Sequence, residues 1–175
     1  MRILLFAAAQ VVAATAQSQR LSEYRIELAS DATTEEHAAA KIVQTWASAV
    51  AGSALKIVTV GPNEMPAGGG AAESRNGVSE TQAAITVGYH ATLRRNASAE
   101  PELKKLGLEG WLITGSSGGQ DGHWAISGAK GAPRGAIYGA HAFVETMLGV
   151  RFLAPNVTLS PQNGTDPKLG ENSAM

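Results

Sequence analysis

The side chains best suited to hold a metal or move a proton near neutral pH are four histidines, His37, His90, His123 and His141. None stands at His-x-x-x-His spacing, and no carboxylate cluster joins them, so neither a metal site nor a cofactor is expected. Ser116 and Ser117, with Asp121 and His123, supply the residue types of a hydrolytic triad, but all within one short loop. Triads draw their members from separate elements so that a rigid scaffold orients them. Ser, Gly and Asp in such a loop are what turn chemistry selects. Two carboxylate pairs remain, Glu35 with Glu36 and Glu100 with Glu102. Adjacent helical residues do not face one another, and neither pair is set to flank a scissile bond across the ~5 to ~9 Å that acid–base hydrolysis of a glycoside requires. With no cysteine there is no thiol nucleophile, disulfide or thiolate ligand. No catalytic residue is expected in this chain.

The elements that would position these groups are easier to read. Residues 24–29 form a short strand with Ile26 and Leu28 on one face. Thr33, with Glu36 three residues on, is a capping box, and Glu35 adds negative charge to the first turn. The helix that follows carries an apolar stripe of Ala39, Ile42, Val43, Trp46, Ala49 and Val50, and Gly52 ends it. Strands are predicted over residues 55–60 and 83–87, the second wholly apolar and therefore interior. Residues 62–80 read as a Gly-rich surface loop that lacks the Gly-Lys-Ser/Thr ending of a phosphate cradle. Residues 92–106 read as a polar loop with a short helix near 102–106. Strands over 110–114 and 123–127 form an antiparallel hairpin.

A last helix starts at Pro133, with Ile137, Ala140, Val144, Met147 and Leu148 as its buried stripe and Gly149 as its cap. Gly135 and Gly139 each cost that helix about 1 kcal/mol against alanine, which implies close approach of another backbone. Tyr138 and Phe143 supply its aromatic mass. Arg134 opposes the helix dipole, which fits either a carboxylate or carbonyl partner outside this chain or a solvated side chain. The order β-α-β-β-β-β-α describes an α/β domain: a mixed sheet with two main helices packed on one face.

Composition sets the remaining bounds. The chain has 175 residues, enough for one domain with a core, and its apolar fraction of 44% argues against disorder throughout. A formal charge of −1 without a basic run offers no cationic face for nucleic acid. Arg2, the apolar residues 3–14 and Ala14-Thr15-Ala16 read as a signal peptide spanning 1–16. The apolar run is too short for a permanent membrane span. Residues 17–23 form a linker, 24–155 the domain, and 156–175 a polar tail or linker. A secreted protein is expected, with N-glycosylation acceptor sequons at Asn96, Asn156 and Asn163.

A longer pattern crosses these elements. It comprises Ala125-Ile126-Ser127-Gly128, then Ala132-Pro133-Arg134-Gly135-Ala136-Ile137-Tyr138-Gly139, then Phe143-Val144-Glu145, and finally Leu148-Gly149-Val150-Arg151-Phe152-Leu153-Ala154-Pro155. Ala29-Ser30-Asp31-Ala32-Thr33, Ala84-Ile85-Thr86-Val87-Gly88 and Leu106-Gly107-Leu108-Glu109-Gly110-Trp111-Leu112-Ile113 accompany it. The whole resembles the N-terminal accessory domain of alpha-glucuronidases and related glycoside hydrolases, the domain type that also precedes the barrel of bacterial-type beta-N-acetylhexosaminidases. The resemblance runs over residues 24–155. Its distinctive marks are Arg134, Gly135, Tyr138, Gly139, Gly149, Arg151 and Pro155, in structural roles. It implies a non-catalytic accessory domain whose chemistry is supplied by a (β/α)8 barrel, absent from this chain, so that the chain is either a fragment or a stand-alone relative. The alternative is a stand-alone secreted module that binds polysaccharide, with Trp111, Trp124 and Tyr89 as its aromatic candidates and the two tryptophans forming a platform on neighbouring strands.

Overall fold

The computed structural model describes residues 20–61, 83–115, 122–132, 134–154, 157–161 and 169. Strand β1 (Arg25–Ala29) leads into helix α1 (Thr34–Ala51) through the expected capping box. Thr33 Oγ1 accepts the Glu36 N–H at 3.2 Å, and Glu36 Oε2 accepts the Thr33 N–H at 2.8 Å. Gly52 stops the helix at φ 70°, in the left-handed region that side chains resist. The chain returns as β2 (Ile57–Val60), parallel to β1, a pairing that a crossover helix makes possible.

Strand β3 (Ala84–Val87) is buried along its whole length and lies parallel to β1 on the side away from β2. Next come α2 (Tyr89–Arg95), a turn of 3-10 helix, α3 (Glu100–Lys105) and β4 (Trp111–Gly115). Strand β5 (His123–Gly128) runs antiparallel to β4, as the hairpin reading requires, and parallel to β3. The sheet order is β2-β1-β3-β5-β4, so the third strand is central and β4 an edge. Helix α4 (Arg134–Met147) ends near Gly149, at φ 71°, with the Val150 N–H bonded to the Val144 carbonyl at 3.3 Å.

The domain is therefore α/β, with a mixed, mostly parallel five-stranded sheet and, among the described residues, four α-helices. As expected, α1 and α4 pack together on one face. Their core joins Val43, Ala47, Val50, Ala140, Phe143 and Val144 to Ile26, Leu28, Ile85, Val87 and Ile126 from the strands. Burying this apolar set, at roughly 25 cal/mol per Å² removed from water, is the main term that holds the layers together.

Four local readings need correction. Residues 89–95 form α2, although a loop was expected from residue 92 on. No side chain of its own caps this helix; the Tyr89 N–H bonds Oε1 of Glu36 at 2.7 Å, from 53 residues earlier. A start signal supplied by another element leaves no trace in the local sequence. The α1 stripe centres on Ala39, Ala40, Val43, Ala47 and Val50, while Ile42 and Trp46 sit at its margin. The α4 stripe is likewise turned: Gly135, Ala136, Gly139, Ala140, Phe143 and Val144 are buried, and Ile137 and Met147 only partly so. Close packing of the two glycines draws that edge of the helix down onto the sheet. Finally, the segment after Asn156 is not wholly a tail. Strand β7 (Val157–Leu159) pairs antiparallel with β6 (Arg151–Ala154), and Leu169 is buried in the main core.

Candidate functional site

Side chains alternate across a strand, so with Ile26 and Leu28 facing α1 and α4, Arg25 and Glu27 point to the opposite face. There α2 covers the sheet, with Ala91 packed against Ala29 and Val60. Arg95 reaches back from the end of α2 and holds Glu27 through Nη2–Oε1 at 2.7 Å and Nε–Oε2 at 3.1 Å. Arg25 Nε donates to Glu27 Oε1 at 2.8 Å. Glu27 is only 1% exposed. Burial by itself pushes its carboxyl up, but the hydrogen bonds and charge of Arg95, then of Arg25, overcome this and hold it below the ordinary 4.5. Both oxygens are occupied by guanidinium N–H groups. Such a carboxylate is a fixed anion, not a base awaiting a proton.

Next to Glu27 in register lies Thr86, whose Oγ1 is 3.3 Å from His123 Nε2. Glu27, Arg25, Arg95, Thr86 and His123 thus make one polar cluster on the sheet. The sequence held a usable signal for it: an Arg-x-Glu pair on one side of a strand whose other side is apolar. The arginine of the third member, 68 residues away, could not be paired with it from spacing.

The other candidates are spread over the molecule. Glu36 is buried and serves two helix starts, whereas Glu100 and Glu102 are bound to Lys104 and Lys105 on exposed α3. Glu36 thus serves helix starts, and Glu100 and Glu102 serve surface ion pairs. Ser116, Ser117 and Asp121 lie outside the described residues. His37 and His90 are exposed. His141 packs edge-on to Phe152, with ring centroids 5.2 Å apart, beside an open depression of about 450 Å³ lined also by Glu145, Leu153 and Ala154. Glu145 is the sole carboxylate among those lining residues. Among the described residues no three His, Cys, Asp or Glu side chains gather as metal ligands would.

Of the signature residues, the glycines are packing devices. A Cβ on Gly135 would overlap the carbonyl oxygen of Gly110 and sit 3.0 Å from the Gly128 Cα. One on Gly139 would sit 3.0 Å from Ile126 Cγ2 and 3.3 Å from Trp111 Cβ. The helix lies flat across β4 and β5, as the glycine spacing implies. Arg134 and Arg151 are exposed, on α4 and β6 respectively. Tyr138, expected to add aromatic mass to the helix packing, is 43% exposed; Phe143 alone of the two is in the core. Gly149 takes the left-handed cap. Asn96 ends α2, and its Oδ1 accepts the Ser98 hydroxyl at 2.6 Å. Pro133, Pro155, Asn156 and Asn163 lie outside the described residues.

The tryptophan platform does not form. Trp124 is 7% exposed, edge-on to Phe143 with centroids 5.9 Å apart, while Trp111 is 42% exposed. Both face the α1–α4 side, but β5 is interior and β4 is the edge. Gly115, opposite Trp124, leaves the space its indole fills. Tyr89 is also buried. Compared with protein-family models and with curated proteins, the chain matches none.

Proposed function

We propose that this chain is a non-catalytic accessory domain of a secreted glycoside hydrolase, of the type that precedes the barrel in alpha-glucuronidases and beta-N-acetylhexosaminidases. The observation that carries the reading is the behaviour of the Arg-Gly-x-x-Tyr-Gly run. Its Gly135 brings α4 against the backbone of Gly110, just before β4, and of Gly128 at the end of β5, and its Gly139 meets the Ile126 and Trp111 side chains, while its Arg134 and Tyr138 remain outside. A motif of that kind builds a packed scaffold rather than a catalytic cleft. The polar cluster under α2 supports the same reading, because its carboxylate is fully engaged by arginines. In the parent enzyme a (β/α)8 barrel supplies the acid and the base or nucleophile.

The reading is tested at three points. Expressed with its leader in a secreting host, the protein should begin after residue 16, as read by intact mass. The purified domain should release no product from aryl glycosides, hexosaminides or glucuronides. The DNA beyond the codon of Met175 should continue in frame into β/α repeats. Turnover that persists through purification and is abolished by a substitution in this chain would overturn the accessory role.

A further inference from the structure

Among the described residues, six large hydrophobic side chains are exposed, and two of them, Trp111 and Tyr138, flank one glycine. Trp111 opens the edge strand β4 on the side facing α4, and its Cβ and Cγ lie over Gly139, where no side chain stands. Tyr138 precedes that glycine on the same helix. The base of the indole is therefore fixed by a sheet and a helix together. No ring contact among the described residues uses Trp111 or Tyr138. Exposed Leu108 lies on the turn that enters β4, followed by exposed Glu109. One helical turn before Tyr138 stands exposed Arg134, which joins none of the ion pairs among the described residues.

We infer that this ledge of Trp111 and Tyr138 binds a polysaccharide chain, with Arg134 and Glu109 as hydrogen-bonding groups at its rim. A pyranose ring has C–H bonds on its faces and hydroxyls around its edge. Its complement is a flat apolar surface with polar tips, as indole N–H and phenol O–H provide, and a charged rim. Size argues against a protein as occupant. An aromatic side chain buries roughly 150–250 Å², so two that are about two-fifths exposed offer on the order of 200 Å². A stable protein interface takes about 800 Å² from each partner. One or two sugar rings match the ledge; a protein surface exceeds it several-fold. The inference does not depend on an attached barrel, and it moves the aromatic platform from the Trp111–Trp124 pair to Trp111 with Tyr138.

The test is affinity electrophoresis of the purified domain in gels containing hydroxyethyl cellulose, xylan or polygalacturonate. At least one polymer should retard the wild type. Trp111→Ala and Tyr138→Ala should each weaken that retardation roughly tenfold, equivalent to about 1.4 kcal/mol. Leu153→Ala, an exposed apolar change elsewhere, should leave it unaltered. Tyr138→Ala removes an exposed side chain and keeps the test decisive should Trp111→Ala fail to fold. Absence of retardation in all three gels overturns the site, as does unchanged retardation in both aromatic variants. Self-association of the wild type that Tyr138→Ala abolishes overturns it too, in favour of a second copy as occupant. None of these failures touches the accessory reading, which stands on turnover and on the downstream gene.

Discussion

Replacing Gly135 by alanine sets two effects of opposite sign against each other. In an exposed helix the change would stabilise by about 1 kcal/mol, because glycine loses more backbone freedom on folding. Here the new methyl would overlap the Gly110 carbonyl oxygen and press on the Gly128 Cα. Both obstacles are backbone, just before β4 and at the end of β5, so no rotamer change relieves them. Either α4 lifts from the sheet or β4 shifts outward. Overpacking of this kind costs about 1–3 kcal/mol and sometimes more. Because both obstacles are rigid the cost sits at the upper end, about 3 kcal/mol, so net of the helix gain Gly135→Ala should destabilise by about 2 kcal/mol, or lower Tm by roughly 4–8 °C for a chain of this size. Gly139→Ala meets side-chain atoms of Ile126 and Trp111, which can yield by a few tenths of an ångström. It should fall within about 1 kcal/mol of wild type. Gly107→Ala meets nothing within 4 Å and should be neutral or stabilising by up to about 1 kcal/mol. Urea unfolding followed by circular dichroism, with the slope m held constant, gives all three values. A Gly135→Ala protein as stable as wild type would refute the flat packing of α4, and with it the structural role given to the signature.

Glu27→Gln leaves two arginines facing a neutral amide and should cost about 3 kcal/mol at pH 7, measured in the same urea assay. Because the folded Glu27 is held below its ordinary pKa, its contribution is complete above the unfolded value of about 4.3 and fades as pH falls toward the folded value. The gap between wild type and Glu27→Gln should therefore narrow below about pH 4.5; a gap constant down to pH 3 would contradict the ion cluster. Glu36→Ala removes the acceptor for both Thr33 and Tyr89 N–H groups. It should cost about 2–3 kcal/mol and speed hydrogen exchange at the Tyr89 amide, a change that loss of the α1 cap alone would not produce. Thr33→Ala, which removes only one cap bond, should cost about 1 kcal/mol by urea unfolding.

Local chemistry made much of this fold legible. The Thr33–Glu36 box, Gly52, the apolar β3 and the closely spaced β4–β5 hairpin each encode their own structure within a few residues. So does the Gly135–Gly139 notch, since a helix keeps costly glycines where another backbone must come near. The signature's solvent-facing members were harder to sort. Arg134 admitted both a partnered and a solvated reading, and it is exposed. Tyr138 was placed in the packing because helical spacing from Phe143 does not reveal how far the glycines rotate α4.

Strand order decided what remained. Trp111 and Trp124 occupy similar strands and face the same side of the sheet, yet β5 lies between two strands and β4 has an open flank. That difference buries one indole and leaves the other at the surface. In the same way α2 exists as a helix because α1 lends it the Glu36 carboxylate, and Glu27 is a buried ion because α2 then covers it with Arg95. Sequence by itself determined the elements that carry their own start, stop and apolar face. Only the tertiary structure settled the features made of two distant segments, because burial and charge pairing belong to contacts that neither segment contains alone.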